Sequence, residues 1–208
     1  MKGSAWRLRI PQCTLISKGS TANNVLEFLG MAINTWIMGE EAEDGEFECL
    51  LALGDNTSAL GWIHHAGQLD EGSPYFKDIQ MMARKIATVV SEHGVCLTTQ
   101  HIKGKKNLVA DWLSYDGKRD GRAHTLAADE PDDETLTARF HHHCPQLIPQ
   151  DFSISRLTRE KLSWIVSVLR TLESSLAAES KHKRDARLQL EAMDWILARE
   201  QPRSRFVR

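Results

Sequence analysis

The stretch Cys49 to Ile63, CLLALGDNTSALGWI, decides how the rest of the chain is read. Cys49 to Leu53 is an apolar run of strand length, and Gly54-Asp55 closes it as a turn. A run that is apolar at every position predicts a strand buried on both faces, the central strand of a helix-covered α/β sheet. Asp55 then falls at the strand's carboxyl end, where open α/β sheets place their ligands. Asn56 or Thr57 starts a short helix carrying Ala59, Leu60, Trp62 and Ile63, so Asp55 also reads as a plain helix cap. What decides between cap and site residue is whether other carboxylates converge on it.

Residues 75–93, YFKDIQMMARKIATVVSEH, have the spacing of a helix with Phe76, Ile79, Ala83, Ile86, Ala87 and Val90 on one face and the Met81-Met82 pair as core filler. Gly94 ends it, and VCLTTQHI follows as a strand with Val95, Leu97 and Thr99 alternating. Strand, helix, strand is the βαβ pattern, so the two strands are expected to run parallel and to end on one sheet edge. Upstream, residues 5–16 read as a short, bulged or edge strand because Pro11 interrupts them. Val25 to Met38 is helical, with Leu26, Leu29, Ile33, Trp36 and Ile37 as its stripe. Glu27 falls with Gly30, Met31 and Asn34 on the other arc. Asn24 with Glu27 also has the form of a capping box.

The composition is that of a globular protein: 208 residues, 41% hydrophobic and 26% charged. A formal net charge of −2 gives no global case for nucleic-acid or membrane binding, so any basic surface is local. Cys13, Cys49, Cys96 and Cys144 form no CxxC pair; two of them lie in apolar runs, which suits buried thiols in a reducing compartment. No apolar stretch approaches the roughly 18 residues that span a bilayer, and no signal-peptide core opens the chain, so an intracellular, non-membrane protein is expected.

Residues 116–150 are glycine-rich and acidic and read as a linker or surface loop. His141-His142-His143-Cys144 lies in it, but consecutive side chains do not converge tetrahedrally on a metal. Residues 151–208 form a helical extension. A first helix carries Leu162, Ile165, Val166, Leu169, Leu172 and Leu176, and a second, about Lys181 to Arg199, completes an antiparallel hairpin. This part holds 12 Lys+Arg against 8 Asp+Glu, which a solvated surface explains as well as a nucleic-acid contact does.

The second strand runs into QHIKGKKNLVADWLS, in which His101 is followed by a Gly/Lys loop and a short helix with Asp111 in its first turns. With Glu27 on a packed helix, three carboxylates are then candidates to meet on one sheet edge. Like charges so close repel unless a divalent cation neutralises them, and hard oxygen ligands suit magnesium or manganese. Two such ions about 3.5–4 Å apart clamp the oxygens of a phosphodiester displacement.

GDNTSA after an apolar strand, NVLEFLGMAINTW before it and HxxGxxNxxxD after it resemble the ribonuclease H domain of retroelement reverse transcriptases, over roughly residues 5–115. The resemblance implies an α/β ribonuclease H-like fold and Mg2+-dependent (or Mn2+-dependent) hydrolysis of RNA in an RNA–DNA hybrid, within a larger reverse transcriptase polyprotein. It assigns Glu27, Asp55 and Asp111 as metal ligands and His101 to proton transfer or product release. Asn56, Ser58 and Asn107 become hybrid contacts, and Lys103, Lys105 and Lys106 phosphate contacts; a solvated loop accounts for those lysines as well. The family's first two strands form a hairpin whose first strand carries a metal-bridging aspartate. Here the likeness begins at the third strand, and residues 1–26 contain no Asp or Glu. The sequence therefore predicts a ribonuclease H-like fold lacking the first β-hairpin, with a C-terminal helical hairpin and little or no nuclease activity. The alternative is a non-catalytic nucleic-acid-binding or structural module that keeps the same shape.

Overall fold

In a computed structural model of the chain, residues 3–6, 8, 23–42, 49–72, 75–107, 110, 138, 141–142, 152–154 and 157–179 are described. Their elements run β1 (Gly3–Ala5), α1 (Asn23–Glu41), β2 (Cys49–Gly54), α2 (Thr57–His65), α3 (Phe76–His93), β3 (Cys96–His101), β4 (Phe152–Ile154) and α4 (Arg159–Glu179). The chain divides into two compact units, Met1–Pro11 with Lys103–Thr158, and Gln12–Ile102 with Arg159–Arg208. In the first, β1 pairs parallel with β4, Gly3 opposite Phe152 and Ala5 opposite Ile154. The strand expected over 5–16 overlaps β1 only at Ala5, since Trp6 and Leu8 lie outside any strand; residues 9–16 lie outside the described residues, as does the helix expected over 181–199.

The second unit carries the βαβ arrangement. β2 and β3 are parallel and in register from Cys49 opposite Cys96 to Gly54 opposite His101, with α2 and α3 in the crossover. Asn56 starts α2 as its N-cap, its Oδ1 accepting from the Ala59 N–H at 3.0 Å. Gly94 ends α3 at φ 64, a left-handed conformation that glycine takes without a Cβ penalty. Tyr75 enters α3 at φ 62, strain that burial of the side chain (7% exposed) holds in place.

Helix α1 is covered on two sides, which is why more of it is buried than one stripe requires. On one side Phe28 meets Trp62 of α2 edge to face at 5.7 Å. On the other, Trp36 meets Trp164 of α4 at 5.9 Å, and Gly39 faces Val89 of α3. Met31, expected on the outward arc, is buried, because its methyl end sits where Gly54 has no Cβ. On α3 the buried set is Asp78, Ile79, Met82, Ile86 and Val89, while Ala87 is exposed. The face is rotated from the expected one because α3 packs against both α1 and α4.

One expectation is overturned outright. Among the described residues β2 is not covered on both faces: Leu50 and Gly54 are buried, but Leu51 and Leu53 are 55% and 52% exposed. Among them helices α1 and α2 pack against β2, and β3 is the only strand paired with it. An all-apolar run thus marks a strand here without marking its cover.

Three charged side chains are buried with α4: Lys161 and Glu173 on it and Asp78 on α3. Lys161, 3% exposed, reaches Glu40 of α1 at 2.5 Å. Asp78 is fully buried. Ser175 donates to its Oδ2 at 3.0 Å, and Oδ1 has no partner among the described residues. Burial pushes the Asp78 carboxyl above its ordinary value, with the Ser175 hydroxyl opposing. The folded state therefore holds this proton more tightly than the unfolded chain. That stability is complete below the ordinary carboxylate range and is lost as pH rises through the raised value.

Asp78→Asn is expected to raise the melting temperature at neutral pH by about 2–4 °C and to flatten its decline with rising pH, as read by calorimetry from pH 4 to 8. Gly39→Ala is expected to destabilise by about 1–2 kcal/mol in urea titrations despite its gain in helix propensity, because a Cβ there would lie 2.5 Å from Cγ1 of the stiff, buried Val89. Gly54→Ala meets only the flexible end of Met31 and should cost less, about 1 kcal/mol or below.

Candidate functional site

The site is built where β2 and β3 end together. Gly54 lies opposite His101, and the Ile102 N–H donates to the Gly54 carbonyl at 2.9 Å, carrying the ladder one residue further. Asp55 leaves this edge half-buried, and His101 ends its strand exposed. The two residues that the sequence placed on one edge are therefore there.

Asn56, next in the chain, is extended at φ −97 and ψ 103, which turns its side chain back over the start of α2. While its Oδ1 caps α2, its Nδ2 donates to Asn24 Oδ1 at 2.7 Å. A single amide thus ties the start of α2 to the start of α1. Glu27 lies three residues beyond Asn24, on the same side of that helix and exposed to solvent. Asn24 lies inside the helix rather than before it, so the expected capping-box start is replaced by this cross-link to Asn56. Ser58 is exposed in the first turn of α2.

Lys103, Lys105, Lys106 and Asn107 belong to the other compact unit. They surround a short 3-10 turn, Gly104–Lys106, closed by Lys106 N–H to the Lys103 carbonyl at 2.7 Å and Asn107 N–H to the Gly104 carbonyl at 2.9 Å. All three lysines are exposed and Asn107 is half-buried. Asp111 lies outside the described residues, as do His143 and Cys144.

Among the described residues no three His, Cys, Asp or Glu side chains group as a metal site, so Glu27, Asp55 and His101 do not close into one. What they offer is two carboxylates of the hard-oxygen type. Magnesium is commonly held through one or two carboxylates, with waters and substrate phosphates completing its shell.

The sequence missed two features. The Asn24–Asn56 bond joins residues 32 apart, and nothing local signals it. Cys49 and Cys96, expected to be buried thiols, are exposed and half-buried respectively, because they open their strands on the uncovered face. Their equal distance from the two strand ends was the available signal.

The chain matches no protein-family model, no curated protein and no solved structure to which it was compared. The described residues make it a mixed α/β protein, mostly helical, with two small two-stranded parallel sheets, one in each compact unit. Among the described residues no helix is long and apolar enough to cross a membrane.

Asn56→Ala is expected to cost about 1–2 kcal/mol in urea unfolding, since it removes both the cap and the tie to α1. Asn24→Ala should cost about 0.5–1 kcal/mol. The double variant should lose less than the sum, because both changes delete the same bond.

Proposed function

We propose that the chain is a partial ribonuclease H-like domain of a retrotransposon reverse transcriptase. Its ancestral reaction hydrolyses the RNA strand of RNA–DNA hybrids with a divalent metal, and this chain turns over weakly or not at all. The observation that supports the reading is the shared strand edge: Asp55 follows β2, His101 ends β3, and the Asn56–Asn24 bond ties the residue after Asp55 to the start of the helix that carries Glu27. A strand-end aspartate with a histidine on the neighbouring parallel strand and a glutamate on the adjacent helix goes beyond what a helix cap requires.

In this reading Glu27 and Asp55 would hold magnesium or manganese, with Asp111 the further ligand that the resemblance assigns. When bound, the ion neutralises phosphate charge and lowers the pKa of its water. His101, exposed at the strand end, is free to carry a proton to or from solvent. Asn56 and Ser58 lie at the start of α2, where a sugar-phosphate backbone passing Asp55 would meet them. Lys103, Lys105 and Lys106 supply local positive charge to a chain whose net charge is −2. Weak turnover follows from the donor count: residues 1–26 contribute no carboxylate, and two ions need more ligands than Glu27, Asp55 and Asp111 provide. The exposed Lys103, Lys105 and Lys106 support a second reading, a non-catalytic nucleic-acid-binding or structural module of the same shape that meets hybrid through this basic loop.

The test is binding and cleavage of a labelled RNA–DNA hybrid by the purified chain. Salt-sensitive binding is expected, strengthened by magnesium and weakened by Asp55→Asn, with cleavage near background. Binding indifferent to magnesium and to Asp55→Asn would favour the module. Absence of any hybrid binding at low salt would sink both readings, and robust cleavage abolished by Asp55→Asn would overturn the weak-turnover claim.

A further inference from the structure

Away from the site, the opposite end of the β2–β3 ladder carries a pair of thiols. Cys49 opens β2 and Cys96 opens β3, and the register sets them directly opposite each other. Residues paired across adjacent strands point to the same face, and neighbouring strands lie about 4.7–4.9 Å apart, inside the Cα separation of about 4.4–6.8 Å that a disulfide spans. Both are free thiols, Cys49 exposed and Cys96 half-buried. By strand alternation they share the uncovered face with Leu51 and Leu53, so closing a bond between them moves nothing in the core. The loop they would enclose is the whole crossover, α2 and α3 included.

We propose that Cys49 and Cys96 are a redox-responsive pair that closes to a disulfide across the β2–β3 ladder on meeting a small disulfide of the glutathione type. The Cys49 thiolate, the sulfur more open to solvent, attacks one sulfur of glutathione disulfide. A Cys49–glutathione bond forms as the glutathione S–S bond breaks, and one glutathione thiolate leaves with the electron pair. The Cys96 thiolate then attacks Cys49 Sγ, forms the Cys49–Cys96 bond and expels the second glutathione. Two protein thiols are oxidised, one glutathione disulfide is reduced to two thiols, and the two protons pass to the departing thiolates. The Cys96 sulfur alongside holds the Cys49 thiol above its ordinary value, so the reaction quickens toward alkaline pH. Once closed, the bond locks the register of the ladder at the end remote from Asp55, about 16 Å along the strand. It thereby ties the stability of the crossover to redox state.

The experiment treats the full chain with excess glutathione disulfide at pH 8, quenches by alkylation and maps peptides by mass spectrometry without reduction. The expected product is a Cys49–Cys96 cross-linked peptide carrying no glutathione, and a melting temperature about 5 °C or more above that of the reduced chain. Cys96→Ser should instead stop at a stable glutathione adduct on Cys49, with the melting temperature unraised. A persistent adduct on Cys49 in the unsubstituted chain would overturn the proposal. So would linkage to Cys13 or Cys144, a disulfide between two chains, or an unchanged or lowered melting temperature on cross-linking.

Discussion

The second compact unit depends on how closely α1 can be approached from two sides. At Gly54 the end of β2 comes so near that a Cβ there would lie 2.5 Å from the methyl of Met31, and at Gly39 a Cβ would lie 2.5 Å from Val89 of α3. At Gly54 the overlap falls on the flexible end of Met31, which can turn aside, whereas at Gly39 it falls on stiff, buried Val89, and an interior packed to native density does not absorb it without moving an element. Gly39 therefore sets the depth of α1 against α3, and Gly54 leaves room for the Met31 methyl against the sheet. Only with β2 seated against the start of α1 does Asn56 reach Asn24 at 2.7 Å, so the geometry around Asp55 is a consequence of packing. The far end of the same helix presents Trp36 and Glu40 to α3 and α4.

Around Trp36 the charges are arranged more than the hydrophobic pattern requires. Lys85 lies 3.2 Å and Lys161 4.8 Å from the indole centre, and Trp164 meets its edge. Electron density on the indole face attracts both ammonium groups, and the Glu40 carboxylate offsets the burial of Lys161. The Lys161 hydrogen bond holds the Glu40 carboxyl below its ordinary value, so this contribution is present above the ordinary carboxylate range and is lost in acid. Asp78, on the α3 side of α4, has the opposite sign and weakens the fold as pH rises. α4 thus meets two carboxyls whose pH dependences oppose one another, Glu40 favouring its seating above the carboxylate range and Asp78 below it.

The elements whose signals are local were legible in the sequence. β2, α2 with Asn56 as its cap, α3 with its Gly94 stop, and the parallel pairing of β2 with β3 all follow from runs, periodicity and turn residues. Asp55 and His101 on one edge follow from that pairing alone. What was not legible depends on what lies across from each residue. Met31 reads as outward until a glycine on another element makes room for it, and Ala87 reads as inward until two flanking helices fix the rotation of α3. Asp78 reads as a surface residue of a helix start, and its burial comes from α4, some hundred positions later in the chain. Burial is a property of pairs of elements, and periodicity describes one element at a time.

β2 and the metal donors raise the same question from different chemistry. Leu51 and Leu53 sit on a strand whose every residue from Cys49 to Leu53 is apolar, yet each keeps about half its surface in water and forgoes roughly 1 kcal/mol of burial. Such a composition suits a strand with neighbours on both sides and cover on both faces, and among the described residues β2 has β3 and one helical layer. On the proposed reading the donor set has the same shortfall, since Glu27 and Asp55 suit one ion where the ancestral reaction takes two. The composition of β2 and the chemistry of the proposed site thus both ask for more than the described residues supply, which is why the reading of weak turnover rests on packing as well as on a count of ligands.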